Sequence, residues 1–64
     1  MRVGNIIKSS GTSNSIYEIF RIDKSYIVVN AYSKNLKHLY RAVMCKTGIK
    51  IIAENMDEMK AGLL

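Results

Sequence analysis

The sequence predicts a mainly β domain: about five antiparallel strands, followed by a short C-terminal helix. The segments "IYEIFRID" and "YIVVNAYS" are rich in β-branched and aromatic residues, and only "KS" separates them, which is typical of a hairpin. A later segment, "IKIIA", is equally rich in β-branched residues. The chain has 64 residues, so we expect one small domain that comprises residues 1–64.

The central hairpin is predicted to turn at Lys24–Ser25. A two-residue turn there pairs Ile22 with Ile27, and strict alternation then sets Phe20 opposite Val29. These four apolar residues share one face, which is the predicted core. The opposite face mixes two tyrosines, an arginine and an asparagine with aliphatic residues, in the pairs Arg21–Val28, Ile19–Asn30 and Tyr17–Tyr32.

The two ends of the chain are predicted to form a strand and a helix. "RVGNIIKS" indicates a short first strand whose apolar residues begin at Val3, and the small polar residues of "SGTSNS" indicate an exposed loop after it. In "NMDEMKAGLL", Asn55 can cap a helix, and Glu58 three residues later completes an arrangement like a capping box. The apolar residues on one face of this helix are expected to pack on the sheet: Met56, Met59 and Leu63.

Residues 34–46 fit two interpretations. As a helix they form an apolar stripe at the spacing i, i+3, i+4, i+7 and i+8, with Ser33 as the N-cap and Gly48 beyond the end. As a strand, "LYRAV" precedes either one helical turn in "MCKTG" or a two-residue turn at Thr47–Gly48. That turn would pair Met44–Ile51, Val43–Ile52, Ala42–Ala53 and Arg41–Glu54. The helical interpretation gives the alternative fold class, a βββαβα arrangement with a helix at about 34–46.

The order of these segments resembles a small SH3-like barrel of the ribosomal, KOW or Tudor-like type. In such modules an opening like "VGDIV" forms the first strand, a long polar loop follows, and three hairpin strands complete the sheet. Here "VGNII" and "SSGTSNS" would take the first two places. The resemblance implies a barrel at about residues 2–54 and a helix at about 55–64, and many short phage and bacterial accessory proteins look similar. The longer segment "SKNLKH" departs from that pattern.

Composition argues against catalysis and against a metal site. Cys45 is the only cysteine and His38 the only histidine, so one chain can form neither a disulfide nor a conventional zinc site. Asp57 and Glu58 are best explained as charges that complement a helix dipole, so we expect no enzyme activity and no cofactor. No apolar run is long enough for a signal peptide or a membrane span, which predicts a cytoplasmic protein without a membrane partner.

The charge of the chain is unevenly distributed. Ten Lys and Arg against five Asp and Glu give a net charge of +5. Three of the acidic residues lie in the last eleven positions, so residues 1–53 carry nine basic and two acidic groups, a net charge of +7. Such a basic body favours polyanions, namely nucleic acid or an acidic protein.

A nucleic-acid-binding surface is predicted from the hairpin and the basic segment after it. Cations neutralise phosphates, while exposed aromatic rings and arginines stack on bases. RNA is preferred to duplex DNA because no helix-turn-helix can be recognised, and small barrels often present strands and loops to single strands. The predicted site consists of Tyr17, Arg21, Tyr32, Lys34, Lys37, His38 and Arg41.

The competing hypothesis is a protein-interaction module. Ile7, Ile19, Val28 and Ile52 are more aliphatic residues than one small barrel needs inside, and any that face outward would form a contact patch. A chain of this size also has a marginal core, which dimerisation would support. The alternative function is therefore an interaction module or inhibitor, of the kind a phage could encode, that docks on a protein partner as a homodimer.

Overall fold

In the computed structural model, which describes residues 1–10 and 15–62, five antiparallel strands form one sheet and a short helix follows. The strand order across the sheet is β4-β3-β2-β1-β5. The predicted fold class, mainly β with a short C-terminal helix, is confirmed. The elements are β1 (Ile6–Ser9), β2 (Ile16–Ile22), β3 (Tyr26–Tyr32), β4 (His38–Cys45), β5 (Ile49–Ala53) and α1 (Met56–Ala61).

The main core lies on one face of the sheet, here called the inner face. Strand β3 alternates regularly, with Ile27, Val29 and Ala31 buried and the residues between them half-buried. Met44 of β4 and Ile49 of β5, from strands at opposite ends of the sheet, pack against this same cluster, so the sheet curls around it. Removing each large aliphatic side chain from water contributes about 1.5–3 kcal/mol to folding. The buried members of the cluster are Ile7, Tyr17, Ile19, Ile27, Val29 and Ala31.

A second, smaller cluster lies on the other face, called the outer face, over β1, β2 and β5. Helix α1 begins after Asn55, whose side-chain oxygen accepts a hydrogen bond from the Glu58 backbone amide at 2.8 Å, as expected of an N-cap. The packing predicted for the helix is confirmed for Met56 and Met59, while Leu63 lies outside the described residues. The buried residues of this cluster are Ile6, Ile16 and Ala53, and those packed against them are Leu36, Ile52, Met56 and Met59.

The register of the central hairpin departs from strict alternation at Phe20. The two pairs nearest the turn match the prediction, but the pairing then shifts, so that Ile19 rather than Phe20 lies opposite Val29. A β-bulge of this kind inserts one extra residue into a strand and re-aims the side chain there. Ile19 is 1% exposed and Phe20 is 47% exposed, so the predicted core position of Phe20 is wrong. The predicted pairs beyond the bulge, Phe20–Val29, Ile19–Asn30 and Tyr17–Tyr32, are wrong for the same reason.

The helix considered for residues 34–46 does not form, and most of this segment is strand β4. Its pairing with β3 satisfies the backbone groups along the edge that the two strands share, and it sends Tyr40, Ala42 and Met44 towards the inner face. Long-range pairing thus overrides the local helix propensity of the segment. The hairpin pairing of β4 with β5 is also wrong, because these strands lie at opposite ends of the sheet and β5 pairs with β1. No helical turn forms in "MCKTG", since β4 extends to Cys45 and residues 46–48 form a bend.

The chain before β1 forms a turn rather than an extension of the strand. Gly4 has φ of +94°, in the left-handed region that favours glycine, and its amide donates to the Ile19 carbonyl at 2.8 Å. Val3 is therefore 63% exposed instead of forming part of a strand. Most of the predicted exposed loop, residues 11–14, lies outside the described residues.

Candidate nucleic-acid interface

Among the described residues, the second cluster covers the outer face at Ile16 of β2 but not the rest of β2, β3 and β4, and this remaining part carries most of the predicted site. Residues directly opposite each other in antiparallel strands point to the same face, so the register defines its members. One row runs from Glu18 through Asn30 to Arg41, and the next from Arg21 through Val28 to Val43. We call this surface the open face: Glu18, Phe20, Arg21, Val28, Asn30, Tyr32, His38, Arg41 and Val43.

Arg41 is at the centre of the open face and is held from two sides. Its guanidinium carbon lies 4.0 Å from the centroid of the Phe20 ring, a cation–π contact between exposed side chains. Its Nε donates a hydrogen bond of 3.0 Å to Oδ1 of Asn30, its cross-strand partner. The hydrogen bond to Asn30 uses Nε, not the terminal nitrogens. These nitrogens can therefore serve a ligand, in a fork geometry suited to phosphate or a base edge.

Tyr32 and His38 form an aromatic pair beside Arg41. Their ring centroids are 5.4 Å apart at an interplanar angle of 69°, an edge-to-face contact. The Tyr32 hydroxyl donates to the Glu18 carboxylate at 3.3 Å. Partial burial and the negative charge of Glu18 raise the pKa of Tyr32 above its ordinary value. His38 is exposed, so one face of this pair is open to a ligand.

Residues 33–37, the connection from β3 to β4, place two lysines at the end of the open face. The Ser33 amide donates to the Lys37 carbonyl at 2.9 Å, and the Ser33 hydroxyl accepts from the Lys37 amide at 3.2 Å, which closes the loop tightly. Leu36 adopts a φ of +64°, a costly conformation for leucine, and packs against the second cluster. This anchored segment is the basic loop, and its Lys34 and Lys37 are exposed.

Arg21 also lies on the open face, but its charge is partly neutralised. Its guanidinium forms an ion pair of 3.0 Å with the Asp23 carboxylate and donates to the Tyr26 hydroxyl at 3.3 Å. Both members of the pair are well exposed, so water and salt screen the contact. Arg21 is therefore expected to contribute less positive charge to the binding of a polyanion than Arg41 does.

Tyr17 lies on the inner face, away from the other predicted site residues. It is 5% exposed and belongs to the main core, because the bulge sets it opposite Ala31 rather than Tyr32. Tyr40 lies next along the same row, and the charge and side-chain hydrogen bond of Tyr17 raise the pKa of Tyr40. The open face and the basic loop bring together the remaining six predicted residues: Arg21, Tyr32, Lys34, Lys37, His38 and Arg41.

The sequence did not predict the role of Phe20, whose ring makes the cation–π contact with Arg41. Strict alternation along β2 predicts that Phe20 is inside, and nothing in "IYEIFRID" marks a bulge, since no glycine occurs there. Sequence reasoning placed Asn30 on the same face as Arg21 and Tyr32, but it did not predict the contact with Arg41. Both features depend on the pairing of three strands.

Lys8 and Lys50 lie directly opposite each other on β1 and β5, and both are exposed.

In the part of the chain that the structure describes, no group of three His, Cys, Asp or Glu residues is placed to hold a metal ion. Among these same residues, no helix is long and apolar enough to cross a membrane.

Comparison with protein-family models finds none that matches the chain, and no curated protein or solved structure matches it either. A function is therefore inferred from the geometry of the open face and from the distribution of charge.

Proposed function

We propose that this protein binds single-stranded RNA, without catalysing a reaction, through the open face and the basic loop. The single observation that carries the proposal is Arg41, stacked 4.0 Å over Phe20 and fixed by Asn30 at 3.0 Å. An arginine held in this way keeps its terminal N–H groups and one π-face available. It can therefore contact a phosphate or stack on a base at little cost in side-chain entropy.

The neighbours of Arg41 suit a flexible polyanion. The Tyr32–His38 pair offers a ring surface on which a base can stack, and the lysines of the basic loop can neutralise adjoining phosphates. Glu18, whose carboxylate accepts a hydrogen bond from Tyr32, stays charged and would repel phosphate, which favours a path that keeps the phosphates beside the basic loop and Arg41. The bound strand would thus run from the basic loop, over Tyr32 and His38, to Arg41.

A single strand suits this surface better than a duplex does. Bases can stack on exposed rings only when they are splayed out, and in a duplex they are stacked on each other. The described residues of the open face come from strands and offer no recognition helix for a major groove. RNA is preferred to single-stranded DNA because its 2′-hydroxyl can hydrogen-bond to polar groups such as Glu18 and Asn30.

The proposal includes membership of the SH3-like barrels. The strand order, in which β1 pairs with both β2 and β5, is compatible with such a barrel. Packing of residues from β4 and β5 against one inner cluster supports a curled sheet of that type. The relation to KOW or Tudor-like modules is part of the proposal and rests on this strand order.

The test is fluorescence anisotropy with a labelled mixed-sequence RNA, a DNA strand of the same sequence and the matched DNA duplex. We expect micromolar binding of RNA that weakens with salt at a slope of about −2, since three phosphates contribute about −0.7 each. Arg41→Ala should weaken binding by about tenfold, because a stacking and charge contact is worth ~1–3 kcal/mol. Arg41→Lys should keep the salt slope but lose part of the affinity.

Arg2→Ala is the matched control, because Arg2 is an exposed arginine outside the open face. It removes the same charge and should change RNA affinity far less than Arg41→Ala does. Equal losses in both variants would show a diffuse charge effect and would contradict the assigned site. Absence of binding at low salt would contradict RNA as the ligand and would favour an acidic protein partner.

A further inference from the structure

We infer that the open face prefers guanine to the other bases, with Glu18 and Arg41 binding two sides of the same base. This preference rests on the RNA binding proposed above and gives the same site a base specificity. Among the described residues that define the open face, Glu18 alone is acidic. A carboxylate weakens the binding of phosphates, but it can accept hydrogen bonds from the donor groups of guanine.

The Glu18 carboxylate is held in place and keeps the capacity to accept further hydrogen bonds. Its Oε1 accepts from the Tyr32 hydroxyl at 3.3 Å, and the residue is half-buried, so the side chain has little freedom. A carboxylate offers about four acceptor positions, and the Tyr32 hydroxyl uses one of them. A base with two adjacent donors can therefore bond to both oxygens of Glu18 without displacing Tyr32.

The Arg41 guanidinium supplies donors close to this carboxylate. Glu18, Asn30 and Arg41 are cross-strand neighbours in one row of the sheet. The Arg41 side chain crosses over β3 to reach Phe20 of β2, with its guanidinium carbon 4.0 Å from the ring centroid. Phe20 follows Glu18 by two residues on the same face, and such positions are about 6–7 Å apart along a strand. This separation suits a single base that bonds to both groups.

Glu18 and Arg41 form no salt bridge with each other. In the described part of the chain the one salt bridge joins Arg21 to Asp23, and Arg41 bonds to Asn30 instead of Glu18. The Asn30 hydrogen bond and the Phe20 contact thus hold the guanidinium apart from the nearby carboxylate. A ligand that bridges the two groups gains charge-assisted hydrogen bonds on both sides, and these are stronger than neutral ones.

Guanine is the base whose polar groups match this arrangement. Its N7 and O6 both accept, which suits the fork of Arg41, and its N1–H and 2-amino group both donate, which suits the carboxylate of Glu18. Adenine, cytosine and uracil each lack a pair of adjacent donor nitrogens beside a pair of acceptors. The base requires only part of the terminal N–H groups of Arg41, so others remain for a phosphate.

The experiment is fluorescence anisotropy of the full chain with short labelled uridine RNAs that carry one central guanosine, adenosine, cytidine, inosine or 7-deazaguanosine. We expect guanosine to bind about tenfold more tightly than adenosine or cytidine, because a bidentate contact discriminates between bases by roughly that factor. Inosine lacks the 2-amino group that faces Glu18, and 7-deazaguanosine lacks the N7 acceptor that faces Arg41. Each should bind about two- to fivefold more weakly than guanosine, since each loses one hydrogen bond.

Glu18→Gln tests the acceptor directly. It replaces an acceptor oxygen by a donor and removes a negative charge, so the all-uridine RNA should bind slightly more tightly, which also shows that the variant is folded. The preference for guanosine over adenosine should fall to about twofold, and inosine should bind as well as guanosine does. Glu54→Gln is the matched control, because Glu54 is an exposed glutamate outside the open face. It removes the same charge and should keep the preference for guanosine.

Equal affinity for all central bases, with RNA binding retained, would overturn the guanine preference and leave the proposed function intact. A preference that persists in Glu18→Gln would overturn it too, as would the same loss of preference in Glu54→Gln. Equal binding of inosine and guanosine by the original chain would contradict the contact of Glu18 with the 2-amino group. Absence of binding to every one of these RNAs would contradict both RNA binding and the guanine preference.

Discussion

Arg41 of β4 lies over Phe20 of β2, two strands away, with its guanidinium carbon 4.0 Å from the ring centroid. The contact exists because the bulge in β2 turns Phe20 out of the core and onto the outer face. A shift of one residue in register therefore gives the open face its stacking platform. Without the bulge, Phe20 would be in the core, and Arg41 would keep only its hydrogen bond to Asn30.

The position of the bulge predicts opposite roles for Ile19 and Phe20 in stability. Ile19→Ala should lower the free energy of unfolding by ~2–5 kcal/mol, because it leaves a cavity in the main core. Phe20→Ala should cost ~1 kcal/mol or less, since it removes an exposed ring and one cation–π contact. Urea denaturation of both variants checks this, and a larger loss for Phe20→Ala would contradict the register.

Asn30 is expected to position Arg41 for binding. Asn30→Ala removes the 3.0 Å acceptor of Arg41 Nε, so the guanidinium becomes more mobile before it binds. RNA affinity should fall about two- to fivefold while the thermal midpoint changes little, because one exposed hydrogen bond is worth ~0.5–1 kcal/mol. Anisotropy measures the affinity, and the control is Thr47→Ala, at an exposed polar residue outside the open face and the basic loop. Equal losses in both variants would argue against a positioning role for Asn30.

The Lys8–Lys50 pair is expected to destabilise the sheet. Like charges directly opposite each other in an antiparallel pair repel, so Lys50→Glu should replace repulsion by attraction. We expect the free energy of unfolding to rise by ~0.2–1 kcal/mol, and the gain should shrink in high salt. Thermal melts at low and high salt measure both effects. The same gain from Lys60→Glu, in helix α1, would assign the effect to net charge alone.

Asn5 is expected to be an important polar residue for folding. It is 8% exposed, its Nδ2 donates to the Glu54 carbonyl at 3.0 Å, and its Oδ1 accepts from the Arg2 amide at 2.8 Å. Asn5→Ala leaves both partners without their bonds and should cost ~1–3 kcal/mol. Chemical denaturation measures the loss, and Asn35→Ala should cause almost none. A neutral Asn5→Ala would contradict the placement of the N-terminal turn against the end of β5.

Alkaline pH should reduce stability through Tyr32. Its pKa is raised above the ordinary value of 10.0 by partial burial and by the Glu18 carboxylate. A group whose folded pKa is raised contributes stability below its unfolded pKa, and the contribution is lost as pH rises through the folded value. Denaturation at pH values above about 10 should therefore show less pH dependence in Tyr32→Phe than in the original chain. Identical pH profiles would contradict the Tyr32–Glu18 contact.

The sequence predicted the elements better than their pairing. Regular alternation in "YIVVNAYS" identified β3 and its buried residues, and "KS" located the turn, because both signals are local. The bulge at Phe20 and the strand at "HLYRAVMC" depend on which neighbour each strand pairs with. The apolar residues of the latter segment fit the spacing of a helix and of a strand equally well. The segment forms a strand because it pairs with the edge of β3 that β2 does not occupy.

The candidate site was predictable to the extent that it depends on composition. Clustered cations and tyrosines indicated the β3–β4 region, where Tyr32, His38 and Arg41 lie. Tyr17 was misplaced because its face changes with the bulge, and Phe20 was missed for the same reason. The hydrogen bond that fixes Arg41 joins residues eleven positions apart in the sequence, so no local sequence pattern predicts it.

The most direct test of the central claim is an NMR titration of the ¹⁵N-labelled chain with a mixed-sequence single-stranded RNA. We expect the amide shifts to change along the open face and the basic loop, most strongly near Asn30, Tyr32 and Arg41, while Lys8, Lys50 and helix α1 change little. The Arg41 side-chain Nε–H signal should shift as well, since it reports the contact with Asn30. Shifts centred on Lys8 and Lys50, or no shifts at low salt, would contradict RNA binding at the open face.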